Sequence, residues 1–391
     1  MHDHIQTKSH SCHQPRSRRD FFRIMVGGPL TGASILELAW HRAAWARALA
    51  QTAGSQLFDL ERVAEGVYCA RSRPQAEVNC NAAIFVNSGD VLVVDTHSKP
   101  SAAASLIAQI RKDVTTKPVR YVVNTHFHWD HIQGNQAYRS AGGKIDFIAS
   151  EPTGRLMSDL ARKRFQATLD EVPRQVDALR GRAGRAGSAA EKAYFEDQVR
   201  QLQAYQSEMK SFALELPTIT FEKSYVIKDK AHELHLEFHG RAHTAGDVVV
   251  FCPEKQVIAS GDMIHGHFPY MADGYPESWP RTIDSVAKLG FDKICPGHGP
   301  AQHGREHMIS MRNYIAELTE KVETGKKAGK SITDLQKTIT VESLKSLQSD
   351  GYLKYLSDNA YEGPRFGRPA PLQDSVNSNV ADIYTNLARE D

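Results

Sequence analysis

The 391-residue chain is 41% hydrophobic and 24% charged, a globular composition that excludes fibrous and wholly disordered proteins. Its 48 Lys and Arg residues nearly balance its 46 Asp and Glu residues, so no large basic field attracts a nucleic-acid backbone. We therefore expect no nucleic-acid partner. Eighteen histidines are the unusual feature of the composition.

Residues 1–50 have the layout of an export signal. Ser17–Arg23 reads SRRDFFR, and Ile24–Leu36 follows it without a charged residue. The segment Ala48–Ala50 then offers a cleavage site with small residues. The Arg pair before two Phe residues resembles a twin-arginine export signal, so we expect the twin-arginine machinery as a partner and a periplasmic or secreted mature protein. The alternative is a basic arm before a short amphipathic helix.

The charge and the apolar pattern of the residues after position 50 predict a soluble protein that contains β-sheets. Residues 1–50 contain seven of the basic and three of the acidic residues, so the rest carries a small negative charge. We find no apolar run of roughly 18 residues and predict no membrane span. Four cysteines outside the leader form no CxxC pair, so we expect buried thiols, with one disulfide of unassigned pairing as the alternative, among Cys69, Cys80, Cys252 and Cys295.

Strand and helix patterns alternate beyond residue 56. Helices are predicted at Ser101–Arg111 and Arg281–Lys288. Hairpins mixed with crossover helices favour an α/β or α+β sandwich over a simple doubly wound sheet. The predicted strands are Val67–Ala70, Ala83–Val86, Val91–Val94, Val119–Val123, Ile145–Ile148, Ile219–Ile227, Leu234–Phe238, Val248–Cys252, Val257–Ala259 and a short strand at Ile294.

Residues 153–214 depart from this rhythm and predict an inserted helical hairpin. Two apolar stripes recur at helical spacing, and three glycines between them predict the turn. The hairpin packs on its own core or, alternatively, acts as a lid or an oligomer contact. Residues 311–391 predict a helical C-terminal extension. The stripes are Leu156, Leu160, Phe165, Leu169 and Val172, then Phe195, Val199, Leu202, Met209 and Phe212, and the glycines are Gly181, Gly184 and Gly187.

The densest chemistry lies in the segment Asn124–His131, which reads NTHFHWDH directly after a predicted strand. Side chains alternate along extended backbone, so His126 and His128 point to one side and can share an ion. Asp130 and His131 follow, where a turn can aim them at a nearby position. Three imidazoles and a carboxylate within six residues predict a metal site.

One loop leaves the coordination of such a site incomplete, so further ligands are expected at the ends of later strands. His243 precedes the predicted strand Val248–Cys252 in a turn with two glycines. Asp262 follows Val257–Ala259, and His298 follows the strand at Ile294. Residues in such turns are held rigidly at a sheet edge, which suits them as ligands.

Together these residues resemble the metallo-beta-lactamase superfamily, whose HxHxDH signature matches His126–His131. The resemblance covers roughly Leu57–Gly304 and implies an αββα sandwich, so we expect a domain over 56–310 that contains the 153–214 insertion. It also implies a two-metal site at one sheet edge, with Asp95 bracing the ligand loop. One metal would take His126, His128 and His243 and the other Asp130, His131 and His298, with Asp262 bridging.

The resemblance also implies a reaction class. The ligands are imidazoles and carboxylates, so two zinc ions are expected, with manganese or iron as alternatives. Two such ions generate a metal-bound hydroxide, which Asp130 helps to orient for hydrolysis. We expect a small ester, lactone, thioester or beta-lactam as substrate, although Asp262 departs from the best-known beta-lactamase branch, which has Cys there.

Other functions and contacts stay open at this point. An alkylsulfatase-like hydrolase is one alternative. An iron-dependent oxygenase or sulfur-oxidising enzyme that uses two His and one carboxylate is another. A non-catalytic metal-binding protein is the least favoured. The segment after Asp262 is rich in aromatic and polar groups, and we take His267 and Tyr270 as candidates for contacting the substrate, without counting His265 or His267 as metal ligands.

Overall fold

The computed structural model describes residues 57–73, 80–349, 351–359 and 371–387, so the predicted export signal lies outside the described residues. A seven-stranded sheet has the order β1 to β7. Its first four strands pair antiparallel and β4 to β7 pair parallel. The strands are β1 Phe58–Ala64, β2 Val67–Ser72, β3 Ala82–Val86, β4 Val91–Val94, β5 Val119–Val123, β6 Asp146–Ser150 and β7 Ile219–Phe221.

A second, six-stranded sheet has the order β13-β12-β11-β10-β9-β8. Its strands pair antiparallel except for β11 and β12, which run parallel. The strands are β8 Ser224–Lys228, β9 Glu233–Phe238, β10 Val248–Cys252, β11 Val257–Gly261, β12 Lys293–Pro296 and β13 Gln302–His303. A dry core joins the inner faces of the two sheets, with buried residues such as Phe85, Leu92, Leu236 and Val250.

The predicted strand Ile219–Ile227 is in fact two strands in different sheets. β7 pairs with β6 in the first sheet, and β8 pairs with β9 in the second. The chain crosses between the sheets at Glu222 and Lys223. The apolar pattern continues across this crossing because both strands contribute side chains to the same inter-sheet core, among them Phe221 and Ile227.

Helices cover the outer faces of both sheets, which confirms the αββα sandwich and the α+β class. α1 packs on the outer face of the first sheet through Leu106 and Ile107. The C-terminal helices pack with α7 on the second sheet. The helices are α1 Pro100–Gln109, α2 Trp129–Ile132, α3 Asn135–Ser140, α4 Glu151–Leu156, α5 Arg162–Gly184, α6 Ala189–Met209, α7 Trp279–Val286, α8 Glu306–Lys327, α9 Ile332–Thr338, α10 Lys345–Gln348, α11 Tyr352–Asp358 and α12 Pro371–Asn386.

The inserted hairpin consists of α5 and α6, preceded by α4 and a π-turn at Met157–Ala161. Gly181 and Gly184 lie inside α5 with helical backbone, so the prediction that they form the turn was wrong. The turn lies further on, where the side chain of Ser188 caps α6 by accepting a hydrogen bond from the Glu191 amide.

Residues of both predicted stripes meet between α5 and α6, while the start of the first stripe packs elsewhere. Val172, Val199 and Leu202 form the core between α5 and α6. Leu156 and Leu160 instead pack with Phe127 of the Asn124–His131 segment. Among the described residues no helix is long and apolar enough to cross a membrane. The four cysteines outside the leader are buried free thiols.

Candidate metal centre

Asp95 organises the start of the histidine-rich loop. It follows β4, and Thr125 follows the parallel neighbour β5, so the two residues meet at one sheet edge. One Asp95 oxygen accepts the Thr125 amide at 2.8 Å, and the other accepts both the Thr125 hydroxyl and His131 Nδ1 at 2.8 Å. Asp95 has a φ of 64°, a left-handed conformation in which Asp is several-fold enriched over other non-glycine residues.

The loop after Thr125 has two faces. His126, His128 and Asp130 point toward a common centre, where they are almost completely buried. Phe127 and Trp129, which alternate with them, face away and pack among residues of the helical insertion. The same backbone segment therefore presents polar groups to the site and apolar groups to the helical insertion.

Hydrogen bonds fix which nitrogen of each imidazole faces the centre. Thr125 Oγ1 donates to Asp95 and so accepts from His126 Nδ1 at 3.0 Å, which leaves the His126 Nε2 lone pair directed inward. The Asp95 carboxylate has the same effect on His131. Nε2 of both residues is buried and has no hydrogen-bond partner, as expected of a nitrogen that binds a metal ion.

His128 and His243 form the most informative pair. Nε2 of His128 donates to Asp273 at 2.9 Å, and Nδ1 of His243 donates to the Tyr270 carbonyl at 3.0 Å. Their other nitrogens face each other at 2.8 Å. With their second nitrogens donating elsewhere, both facing atoms direct lone pairs into the cluster, an arrangement that a shared proton or a metal ion bound beside them relieves. The geometry therefore fits a bound metal ion.

Asp262 lies between the two halves of the cluster. One oxygen is 3.3 Å from His131 Nε2, and the other is 3.3 Å from Nε2 of both His243 and His298. Asp130 is 3.4 Å from His298 Nε2. The donor atoms fall into two groups, each within 4.8 Å: His126, His128, His243 and Asp262, then Asp130, His131 and His298. All seven residues singled out in the sequence come together.

Two glycines make this close approach feasible. Gly261 has a φ of 50°, and a Cβ there would lie 2.2 Å from Thr125 Oγ1. A Cβ on Gly297 would lie 2.0 Å from Asp262 Oδ1. Since no side chain fits at either position, the glycines around Asp262 and His298 are a steric requirement of the site.

The charges of the site divide the histidines into two classes. Burial lowers the pKa of His126 and His243 well below the usual value, so both are neutral and able to bind a metal. Burial also opposes protonation of His298, but Asp262 and Asp130 outweigh it and raise its pKa to about 9. His131 likewise has a raised pKa, because its carboxylate neighbours overcome burial. Without metal, protons occupy this second half, and metal binding displaces them.

Beside the cluster lie Asp273 and Arg164, which were not identified from the sequence, and His265, which was considered there but not counted as a ligand. Asp273 contacts His128 and also binds Arg164 of α5 through two hydrogen bonds of 2.5 and 2.7 Å. His265 Nε2 lies 3.4 Å from Asp262, and its ring stacks on that of His298. No short motif marks Asp273 or Arg164.

Of the two candidate substrate contacts, Tyr270 lies beside the cluster. The Tyr270 ring is 5.9 Å from that of His128 and 6.1 Å from that of His243, measured between centroids. Burial raises the pKa of Tyr270 well above its usual value, so the phenol stays protonated. His267 is half-buried in the same segment. A substrate role for either residue stays a prediction.

Comparison with known proteins decides the family. A family model described as the metallo-beta-lactamase superfamily matches residues 76–298. The chain belongs to the metallo-beta-lactamase superfamily. The match includes every residue of the seven-membered cluster, and the His and Asp donor set of this member suits divalent metal ions.

Individual relatives in this superfamily are distant. A linear primary-alkylsulfatase from Pseudomonas sp. is 25% identical over 242 residues, which cover 55% of this chain and 40% of that protein. Metallo-beta-lactamase IND-1 from Chryseobacterium indologenes is 31% identical over 90 residues, which cover 21% of this chain and 37% of that protein. The alignments thus span about two fifths of the length of these curated relatives.

Solved structures of the superfamily are also similar. A metallo-beta-lactamase from Pontibacter korlensis matches with a TM-score of 0.47 at 18% identity and covers 65% of this chain and 98% of that one. The mono-zinc form of metallo-beta-lactamase FIM-1 from Pseudomonas aeruginosa matches with a TM-score of 0.44 at 21% identity. The match covers 68% of this chain and 95% of that one.

Proposed function

We propose that the protein is a dinuclear metal-dependent hydrolase of small ester, lactone, thioester or beta-lactam substrates. The observation that carries the proposal is the position of Asp262, whose two oxygens face imidazoles of both halves of the cluster. A carboxylate so placed would be available to two ions, one in each half of the cluster. His126, His128 and His243 would bind one ion, and Asp130, His131 and His298 the other.

Two bound divalent ions supply hydroxide at neutral pH and a Lewis acid for the developing oxyanion. The protein residues supply orientation. Asp130, buried with an oxygen 3.4 Å from His298, is placed to hold the attacking group in position by accepting its hydrogen bond. Asp95 and Asp273 hold His131 and His128 with the metal-binding nitrogen directed inward. No Ser or Cys nucleophile is required.

Zinc is the metal we propose, since nitrogen and carboxylate donors without a thiolate suit it, and manganese and iron share the same preference in part. A site loaded with iron and turning over only with oxygen would instead support the oxygenase or sulfur-oxidising alternative. Elemental analysis of the purified protein separates these two functions before any substrate is known.

An alkyl sulfate ester is the second candidate substrate. The alignment with the linear primary-alkylsulfatase extends over 242 residues and favours this class, although it covers 40% of that enzyme. Hydrolysis of either substrate class places negative charge on oxygen atoms at the reacting centre in the transition state. The same pair of ions could therefore serve either reaction.

The test is metal quantification followed by a substrate panel. We expect about two zinc ions per chain, and hydrolysis of at least one of a cephalosporin, a lactone, a thioester and an alkyl sulfate, with a phosphodiester as comparison. His126→Ala combined with His128→Ala should remove one ion and the activity, while His303→Ala, at an exposed histidine remote from the cluster, should change neither. Full metal content in the double variant would refute the site assignment. Rapid turnover of the phosphodiester alone would refute the substrate class.

We further propose that residues 56–310 form the catalytic domain and residues 311–391 a helical extension. The 153–214 hairpin is proposed as an oligomer contact. Residues 1–50 are proposed to direct twin-arginine export to the periplasm. Replacing Arg18 and Arg19 by Lys in the full chain should trap the protein in the cytoplasm. Unchanged periplasmic accumulation would refute the export route. Light scattering of the mature protein tests the oligomer, and a monomer at micromolar concentration would refute it.

A further inference from the structure

The helical insertion reaches the metal cluster through one carboxylate. Asp273, which is 7% exposed, accepts a hydrogen bond from His128 Nε2 at 2.9 Å. The same Asp273 oxygen accepts a second bond from Arg164 at 2.5 Å, and its other oxygen accepts a third from Arg164 at 2.7 Å. Arg164 therefore holds both oxygens of Asp273 with a two-pronged geometry that fixes the rotation of the carboxylate.

Arg164 belongs to the first turn of α5, so this contact joins two parts of the chain that are far apart in sequence. Its guanidinium also lies 5.3 Å from the Phe127 ring centroid, which places it over the residue between His126 and His128. Arg164 thus contacts the ligand loop directly at Phe127, and it contacts His128 indirectly through Asp273.

The insertion also contacts the same loop through apolar side chains around Trp129. Trp129 packs in the core between α5 and α6, with its ring 6.4 Å from that of Tyr205. The Tyr205 hydroxyl donates to Gln133 at 2.9 Å. The loop is consequently fixed by the insertion at both Phe127 and Trp129, the two residues that flank His128.

Orientation of a ligand imidazole governs metal affinity. Groups that hold a histidine ligand from behind change affinity by about 10- to 100-fold when removed. Without Arg164, Asp273 would lose the two hydrogen bonds that fix the rotation of its carboxylate, and it would hold His128 less firmly. His128 could then turn its Nδ1 away from His243 or carry its proton there, where the proton competes with the metal.

We propose that Arg164 is a positioning residue through which the helical insertion sets the metal affinity of the His126, His128 and His243 half of the cluster. By linkage, metal bound at that half stabilises the docked insertion by the same free energy. This inference rests on the metal site of the proposed function but not on its substrate.

The experiment measures zinc affinity of the purified protein by chelator competition for wild type, Arg164→Gln and Arg164→Lys. We expect Arg164→Gln to weaken one of two sites by about 10- to 100-fold and to leave the other unchanged. Arg164→Lys should recover part of the loss, because a single ammonium cannot hold both oxygens. The matched control is Arg174→Gln, also in α5, whose side chain is 75% exposed and pairs with Glu171 away from the loop.

Hydrogen exchange provides the reciprocal readout. Zinc should slow amide exchange in α5 and α6 of wild type and of Arg174→Gln, and this protection should diminish in Arg164→Gln. If Arg164→Gln does not fold, Asp273→Asn tests the same connection with the arginine in place, and it should weaken the same site.

The outcomes distinguish failure of the proposed metal site from failure of the role proposed for Arg164. A wild-type protein that binds no zinc refutes the proposed function. A wild type that binds two ions, with Arg164→Gln folded and equal to it at both sites, refutes this inference alone. A lower melting temperature with unchanged affinity would also overturn it, because that result shows a purely structural contact.

Discussion

Replacement of Asp95 by Asn tests whether the carboxylate behind His131 controls metal binding. The backbone tolerates the change, since Asn adopts the left-handed conformation at φ 64° as readily as Asp. In the native protein, one Asp95 oxygen accepts from both the Thr125 hydroxyl and His131 Nδ1. If the Asn carbonyl keeps the Thr125 amide, its NH2 group faces these two donors instead of accepting from them. His131 is then expected to move its proton to Nε2, the nitrogen that faces Asp262.

The magnitude follows from these contacts. Loss of the group behind a ligand imidazole weakens metal binding by about 10- to 100-fold, or about 1.4–2.8 kcal/mol. Chelator competition should therefore show one weakened zinc site in Asp95→Asn, at the Asp130, His131 and His298 half, and one site of wild-type affinity. At a zinc concentration that fills this site in wild type but not in the variant, nitrogen-15 NMR should show His131 with a proton on Nδ1 alone in wild type and with a proton on Nε2 in Asp95→Asn.

The control for this prediction is Asp284→Asn. Asp284 is half-exposed and pairs with Arg312 on the outer helices, so its loss leaves the cluster untouched. Two zinc sites of native affinity in Asp95→Asn, with the His131 tautomer unchanged, would show that the carboxylate does not orient the ligand.

Two further substitutions probe the surroundings of the site. Gly297→Ala places a Cβ 2.0 Å from Asp262 Oδ1, so we expect the protein to lose about 1–3 kcal/mol of folding free energy and to bind zinc more weakly. Urea denaturation measures the stability, and a variant as stable as wild type would contradict the close approach. Burial and the nearby Asp273 raise the pKa of Asp382 to about 7, so the folded state holds this proton more tightly than the unfolded state. Wild type should lose stability as the pH rises from 4 to 7, by at most about 1.4 kcal/mol per pH unit from this group, relative to Asp382→Asn. A difference between the two proteins that is independent of pH would exclude this proton.

The sandwich was predictable because its strands carry strong apolar patterns and its ligands stand at strand ends. Val91–Val94, Val119–Val123 and Val248–Cys252 have the predicted bounds. The edge strand β1 and the crossing between β7 and β8 were not predicted. β1 mixes charged residues with apolar ones, and the crossing is invisible because apolar side chains on both sides enter one core.

The cluster itself was predictable from spacing and from the family resemblance, whereas its supports were not. Asp273 and Arg164 lie 109 positions apart in the chain, and neither belongs to a motif. Their pairing depends on where α5 docks on the ligand loop, which is a property of tertiary packing. His265 was set aside because the site already had enough ligands, and only the fold shows its nitrogen beside Asp262.

The arrangement of the cluster has a consequence for the lifetime of the protein. Each half takes residues that follow β5 in one sheet and a histidine from the other sheet, His243 or His298. Bound ions would therefore cross-link the open edge of the sandwich. At a free zinc concentration 100 times the dissociation constant, one such ion adds about 2.7 kcal/mol to the free energy of unfolding. If the proposed export takes the protein outside the cytoplasm, where no chaperone supplied with ATP refolds a damaged chain, its resistance to proteases should rise and fall with the zinc supply.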